Sequence, residues 1–282
     1  MKKIIALLLS AVLAAGMLAG CGSTPAPSES SKAPSKSSEP ASEPVSEEGW
    51  TIASAEDLAG KKIGVQAGTT GETFVTKNIT DAEVLSYKTA IDASLDLKAG
   101  AIDAVVIDEL PAKSICDAND DLQIVDIDLA VEEYAIAVKK GNTELLESIN
   151  ATIAKIKADG TYEALVAAFM PTDGEIVIPE NKASEGEKTV IMGTSTGFPP
   201  FEYTDGAGDP VGFDITMSQL IAADMSSKLQ VEDMAFDSLL SALDTGVIDF
   251  AAAGMSITEE RLQSVDFSEP YYSSKQVIII QK

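Results

Sequence analysis

Histidine is absent from this chain of 282 residues, and cysteine occurs only twice, as Cys21 and Cys116. Without imidazole there is no His-ligated metal site and no Ser-His or Cys-His nucleophilic machinery. Two cysteines cannot make a disulfide framework, and nothing in the composition calls for a cofactor. Basic residues are also scarce: 20 Lys+Arg stand against 45 Asp+Glu, for a formal net charge of −25. Nucleic acid and anionic membrane surfaces are therefore poor partners, because like charges repel. What remains is 45% hydrophobic and 23% charged residues, enough chain and apolar content for two domains, or one large one, around a real core.

One long apolar run exists, at 4–18, preceded by Lys2 and Lys3 and followed by small residues. It falls short of the roughly 20 residues of a membrane-spanning helix and has the layout of a secretory signal. Leu18-Ala19-Gly20-Cys21 resembles a bacterial lipobox, whose cysteine becomes the lipidated first residue of the mature protein; a plain signal peptide is the alternative. Residues 22–49 are almost entirely Ser, Pro, Glu, Ala and Lys, too polar to offset the entropy of ordering. The expectation is a leader and lipid anchor at 1–21, then a disordered tether at 22–49 reaching roughly 30 Å. Cys116 reads as a small buried hydrophobe.

From Trp50 onward, short apolar runs alternate with helical patterns. Ala104-Val105-Val106-Ile107, Val190-Ile191-Met192, Phe250-Ala251-Ala252-Ala253 and Val277-Ile278-Ile279-Ile280 read as buried strands. Phe236, Leu239, Leu240 and Leu243 form one helical stripe, and Leu146, Ile149, Ile153 and Ile156 form another after a candidate N-cap, Asn142. The fold class implied is α/β, with largely parallel sheets. An internal repeat divides it: Leu97-Lys98-Ala99-Gly100-Ala101-Ile102-Asp103-Ala104 matches Leu243-Asp244-Thr245-Gly246-Val247-Ile248-Asp249-Phe250 in Leu, Gly, Ile and Asp. Each copy reads as a helix closed by a glycine and followed by a buried strand.

Loops at the carboxyl ends of parallel strands line ligand crevices. Four are identifiable: 66–70, 108–109, 195–198 and 253–256. Thr258 can cap a first turn that carries Arg261, making an anion site; the same arginine could equally be a surface helical residue paired with a glutamate. Asp108, after four apolar residues, suits an ammonium group or, alternatively, a helix N-cap. Phe198 and Phe236 are pocket walls or core residues. An anion site in one half and a carboxylate in the other fit a zwitterion, an α-amino acid.

These residues also carry a resemblance. Gly193-Thr194-Ser195-Thr196-Gly197-Phe198-Pro199-Pro200-Phe201-Glu202-Tyr203 with Val211-Gly212-Phe213-Asp214-Ile215 is similar to the opening lobe of family 3 solute-binding proteins, the extracytoplasmic amino-acid receptors of ABC importers. The stretches GMSITEER (254–261), VDFSEPYY (265–272), DLAGKKIGVQAGTTGETF (57–74), EYAIAVKKGN (133–142) and ADGTYEAL (158–165) resemble further landmarks. The resemblance covers nearly all of 50–282, but its order is inverted, as in a circular permutant, with 171–187 joining the family's usual ends. It implies a two-lobed, type II periplasmic-binding-protein-like fold with a ligand cleft between a lobe at 50–138 and a lobe at 139–282. It further implies one covalent lobe crossing, around 133–140, with strand 276–281 completing the hinge without a peptide link to the other lobe.

By position, the resemblance implies Arg261 and Ser256, helped by Thr70, for the α-carboxylate. Asp108 and the Gly254 carbonyl, beside Ala253, would take the α-ammonium. Phe198 and Phe236 would sandwich the side chain, with Ser195, Gln66 and Tyr134 selecting it. Ser195 stands where several receptors for basic amino acids carry an acid, which favours a neutral polar, glutamine-like ligand. A basic ligand is the alternative, with Glu72 or Glu202 approaching it. The implied partners are a free L-amino acid and ABC permease subunits. The protein is expected to be a monomer lipid-anchored outside the cell membrane, a lobe-swapped dimer being the alternative. A lyase or dehydratase on similar lobes is the enzymatic rival; it would need a catalytic acid or base, for which Glu109 is the candidate.

Overall fold

The computed structural model describes residues 52–172, 175–179 and 186–282. The leader, Cys21, the 22–49 tether and part of the 171–187 connector lie outside the described residues. The first half runs β1 (Lys62–Gln66), α1 (Thr70–Asn78), β2 (Glu83–Tyr87), α2 (Ala90–Lys98), β3 (Ala104–Asp108), α3 (Glu109–Asp117) and β4 (Leu122–Tyr134). Next come β5 (Ala137–Lys139), α4 (Thr143–Ala158), α5 (Thr161–Phe169), β6 (Lys188–Thr194), β7 (Tyr203–Thr204) and β8 (Pro210–Val211). The chain ends with α6 (Phe213–Asp224), β9 (Ser227–Asp233), α7 (Leu239–Thr245), β10 (Phe250–Ala251), β11 (Val265–Phe267) and β12 (Tyr272–Gln281). Side-chain caps start two of the early helices: Thr69 accepts from the Glu72 amide and Thr89 from the Asp92 amide, each satisfying a donor the helix leaves open.

Two five-stranded sheets form two lobes, in the orders β2-β1-β3-β12-β4 and β11-β5-β10-β6-β9. In the first, β1 runs parallel to β2 and β3, and β12 antiparallel to β3 and β4. In the second, β6 runs parallel to β9 and β10, and β5 antiparallel to β10 and β11. Read outward from the parallel strands, the two orders coincide. The sequence repeat is the cause. Asp103 accepts from the Lys62 amide at 2.8 Å, and Asp249 from the Ile191 amide at 2.7 Å, each carboxylate locking the start of its strand to the parallel neighbour. Ile102 and Ile248 then lie over glycines of those neighbours: a Cβ at Gly64 would meet Ile102 Cδ1 at 2.6 Å, and one at Gly193 would meet Ile248 Cδ1 at 2.3 Å.

The apolar strands pack as expected. All five residues of β3 are buried, and Val277, Ile278, Ile279 and Ile280 of β12 are 0–8% exposed. The α4 stripe buries Ile149, Ile153 and Ile156 in the same core as Phe169 and Phe213. Burying each such side chain contributes about 1.5–3 kcal/mol. Cys116 is half-buried, not fully enclosed.

Two expectations about connectivity are corrected. Strand β12 belongs to the first lobe's sheet, so 272–281 does not group with the 139–282 lobe. Its apolar run is instead drawn between β3 and β4 by pairing on both edges. The lobes are also crossed twice, not once, because the chain passes from β4 to β5 at 135–136 and from β11 to β12 at 268–271. The crossings lie side by side. The Ser268 amide donates to the Ile136 carbonyl at 2.9 Å, the Tyr271 amide to the Tyr134 carbonyl at 2.9 Å, and the Ile136 amide to Ser268 Oγ at 2.9 Å. Inside the first lobe, Ile52 packs with Ile278 and Ile280 of β12.

Candidate functional site

The carboxyl ends of β1, β3, β6 and β10 face one another across the lobes. There Gln66, Thr69, Thr70 and Asp108 from the first lobe meet Phe198, Glu202, Phe236, Ala253, Gly254, Ser256 and Arg261 from the second around one cavity. It leaves about 20 Å³ for the centre of a water molecule, room for a single water. A wider groove of about 810 Å³ opens beside it, sharing Thr70, Phe236 and Arg261 with it. Nine of the eleven residues read from the sequence line the cavity. Ser195 and Tyr134 stand just behind it: Ser195 Oγ accepts from Gln66 Nε2 at 3.4 Å, and the Tyr134 hydroxyl donates to Asp108 Oδ1.

At the cationic end, Arg261 is 8% exposed, which removes the reading of a surface arginine. The Thr258 hydroxyl accepts its backbone N–H at 3.1 Å, but the helix there is a single 3-10 turn, Arg261–Gln263, with Glu260 at its N-cap. The guanidinium donates to the carbonyls of Ser256 at 2.7 Å and Gly68 at 3.0 Å, and lies 5.3 Å from the centre of the Phe236 ring. Burial lowers its pKa and the neighbouring Glu132 charge opposes that. The loop carrying it needs glycine at 254: φ is +54°, and a Cβ there would meet the Phe198 ring at 2.7 Å.

At the acidic end, Asp108 is 7% exposed and does not cap α3 with its side chain. Instead Oδ2 accepts from Gln276 Nε2 at 2.7 Å, its partner across the β3–β12 ladder. Desolvation first, and the Glu132 charge second, push the carboxyl up to about 7 against the pull of the Tyr134 and Gln276 hydrogen bonds. A buried acid held this way is poised to ionise when a cation arrives. Behind it, Asp214 Oδ2 accepts from the Gly254 amide at 2.9 Å and the Tyr271 hydroxyl at 2.7 Å. Burial pushes Asp214 up to about 6 and holds Glu202 well above the usual carboxylate range. Glu202 borders the cavity, its buried carboxyl hydrogen-bonded to the Asp214 side chain.

Two participants were not read from sequence. Gln276 looks like an ordinary strand residue. Glu132, in a Glu-Glu pair, looks like solvated surface. Yet its Oε2 accepts from the Thr70 hydroxyl at 2.9 Å and from the Ser256 hydroxyl. Among the described residues, no group of three or more His, Cys, Asp or Glu could hold a metal ion, and no helix is long and apolar enough to cross a membrane.

Residues 190–282 match the bacterial extracellular solute-binding proteins, family 3. Relatives include the arginine-binding extracellular protein ArtP of Bacillus subtilis, 41% identical over 36% of this chain and 40% of its own length. The L-cystine-binding protein TcyJ of Escherichia coli is 36% identical over 44% of this chain and 47% of its own. This chain thus spans less than half of either relative. Both are binding proteins, not enzymes. Among solved structures, an ancestral arginine-binding protein bound to arginine is 45% identical over 30% of this chain and 38% of its own, with a TM-score of 0.30.

Proposed function

We propose that this protein is the extracytoplasmic substrate-binding component of an ABC importer and holds one free L-amino acid between its lobes. The observation that carries the reading is the pairing of a buried guanidinium on the second lobe with a buried carboxyl on the first, both on one cavity. Arg261, with Ser256 and Thr70, would receive the α-carboxylate; Asp108, with the Gly254 carbonyl beside Ala253, the α-ammonium; Phe198 and Phe236 the side chain between them. The cavity is too small for an amino acid as it stands, so ligand entry requires the lobes to part and reclose.

For the ligand, Gln66 and Ser195 suit a polar side chain. Glu202 puts a carboxyl on the cavity wall, and the relatives include proteins named for arginine and cystine. A basic amino acid therefore moves ahead of the glutamine-like ligand that Ser195 favoured. The lipid anchor at Cys21, the monomeric state and the circularly permuted lobe order belong to the same reading. The permuted order is supported by the family match starting at residue 190 while the other lobe precedes it in the chain. A thermal-shift screen of the twenty amino acids tests the ligand class, since a ligand of the folded state raises the melting temperature. Arginine or lysine should give the largest rise, and a flat response to all twenty would refute the proposal.

A further inference from the structure

We infer that the Glu132 side chain is an internal substitute for the ligand's carboxylate: it occupies the Thr70–Ser256 hydroxyl pair beside Arg261, and an amino acid must evict it to bind. The inference rests on the ligand orientation proposed above. A single oxygen of Glu132 accepts from both hydroxyls. Thr70 opens α1 in the first lobe and Ser256 follows β10 in the second, so one carboxylate fastens the two lobes together. Hydrogen bonds of this kind, to a charged acceptor, are about twice as strong as neutral ones. The cavity beside it leaves space for one water, and both hydroxyls are already taken by Glu132. The Arg261 guanidinium, meanwhile, donates to two backbone carbonyls and feels the Glu132 charge through space.

Position on the strand makes the contact mechanical. Glu132 and Tyr134 share one face of β4 by the two-residue period, and Tyr134 forms an isolated bridge with Ser256 at the first crossing. Glu132 therefore holds the hydroxyls two residues before the bridge that joins the lobes. The ligand-free cleft is held shut by the protein's own acid, and the measured affinity is lowered by the fraction of molecules in which that acid is seated.

The test uses Glu132→Gln, which keeps an oxygen acceptor without the charge, and Glu132→Ala, which removes both. Calorimetry with L-arginine and with L-glutamine should show at least about fivefold tighter binding in Glu132→Gln than in the unmutated protein, and tighter still in Glu132→Ala. Unchanged or weaker binding in both variants, with the unmutated protein binding normally, overturns the inference. Small-angle scattering without ligand gives an independent readout: both variants should have a larger radius of gyration than the unmutated protein, and superimposable curves overturn the inference. If no form binds either amino acid, the ligand reading fails, and scattering alone decides whether Glu132 closes the cleft.

Discussion

The two lobes are built from one strand–helix unit, and their differences begin where the strands end. In both, an aspartate pins the neighbouring strand and an isoleucine covers a glycine; in both, the two antiparallel strands complete the sheet in the same order. As its last residue, β3 of the first lobe carries the buried acid Asp108, whereas in the second lobe the segment after β10 carries the buried cation Arg261. Duplicated scaffolding with opposite charge on the two sides produces a dipolar cleft without any special architecture. The shared parts set stability and the unshared loops set recognition, and each assignment can be challenged separately.

The largest effect is expected from the unshared parts. Arg261→Ala should weaken amino-acid binding at least about tenfold by calorimetry, because a buried charge loses its partner. Asp108→Asn should cost a similar factor for amino acids but little for the corresponding deaminated acids. Equal losses for both ligand classes would show that Asp108 does not read the ammonium.

The shared parts predict a stability effect in both lobes. Gly193→Ala and Gly64→Ala should each destabilise by about 1–3 kcal/mol in urea melts through overpacking, the former more because its clash with isoleucine is the closer one. Ile248→Ala and Ile102→Ala should relieve the matching glycine variant and not the other. Cross-lobe relief would break the equivalence.

The smallest effect is protonic. The folded pKa of Asp108, about 7, lies above its ordinary value of 3.8. The folded state therefore binds more protons than the unfolded state between those limits. The contribution from this group is full below pH 3.8 and is lost as the pH rises through about 7. The ligand-free melting temperature should fall over that window, and less steeply in Asp108→Asn. Ligand ammonium favours the ionised acid, so binding at pH 6 should release protons, seen as a dependence of the calorimetric enthalpy on buffer ionisation heat.

Much of this was readable from the chain because it depends on local pattern. The Ala104–Asp108 run had to be a buried strand, the repeated Leu-Gly-Ile-Asp spacing announced two similar halves, and loop positions at strand ends brought Arg261, Asp108, Phe198 and Phe236 to one cavity. What escaped depends on distant partners. The strand Leu122–Tyr134 mixes acids with aliphatics and shows no clean period, so its thirteen residues were not seen as one element. Glu132 acquires its role only when the Tyr134–Ser256 bridge brings it to hydroxyls 62 and 124 residues away. That 276–281 pairs across to the first lobe was expected, but the peptide link through 268–271 was not, because an apolar run specifies burial and not how the chain reaches its sheet.

The paired crossings at 135–136 and 268–271 act as two rails bolted together. Swivelling one lobe about the long axis would shear the three hydrogen bonds joining the rails, whereas bending both rails in step preserves them. The cleft should therefore gape and shut along one arc, like a book on its spine, so that every ligand presented to it meets the same approach and the same pair of faces.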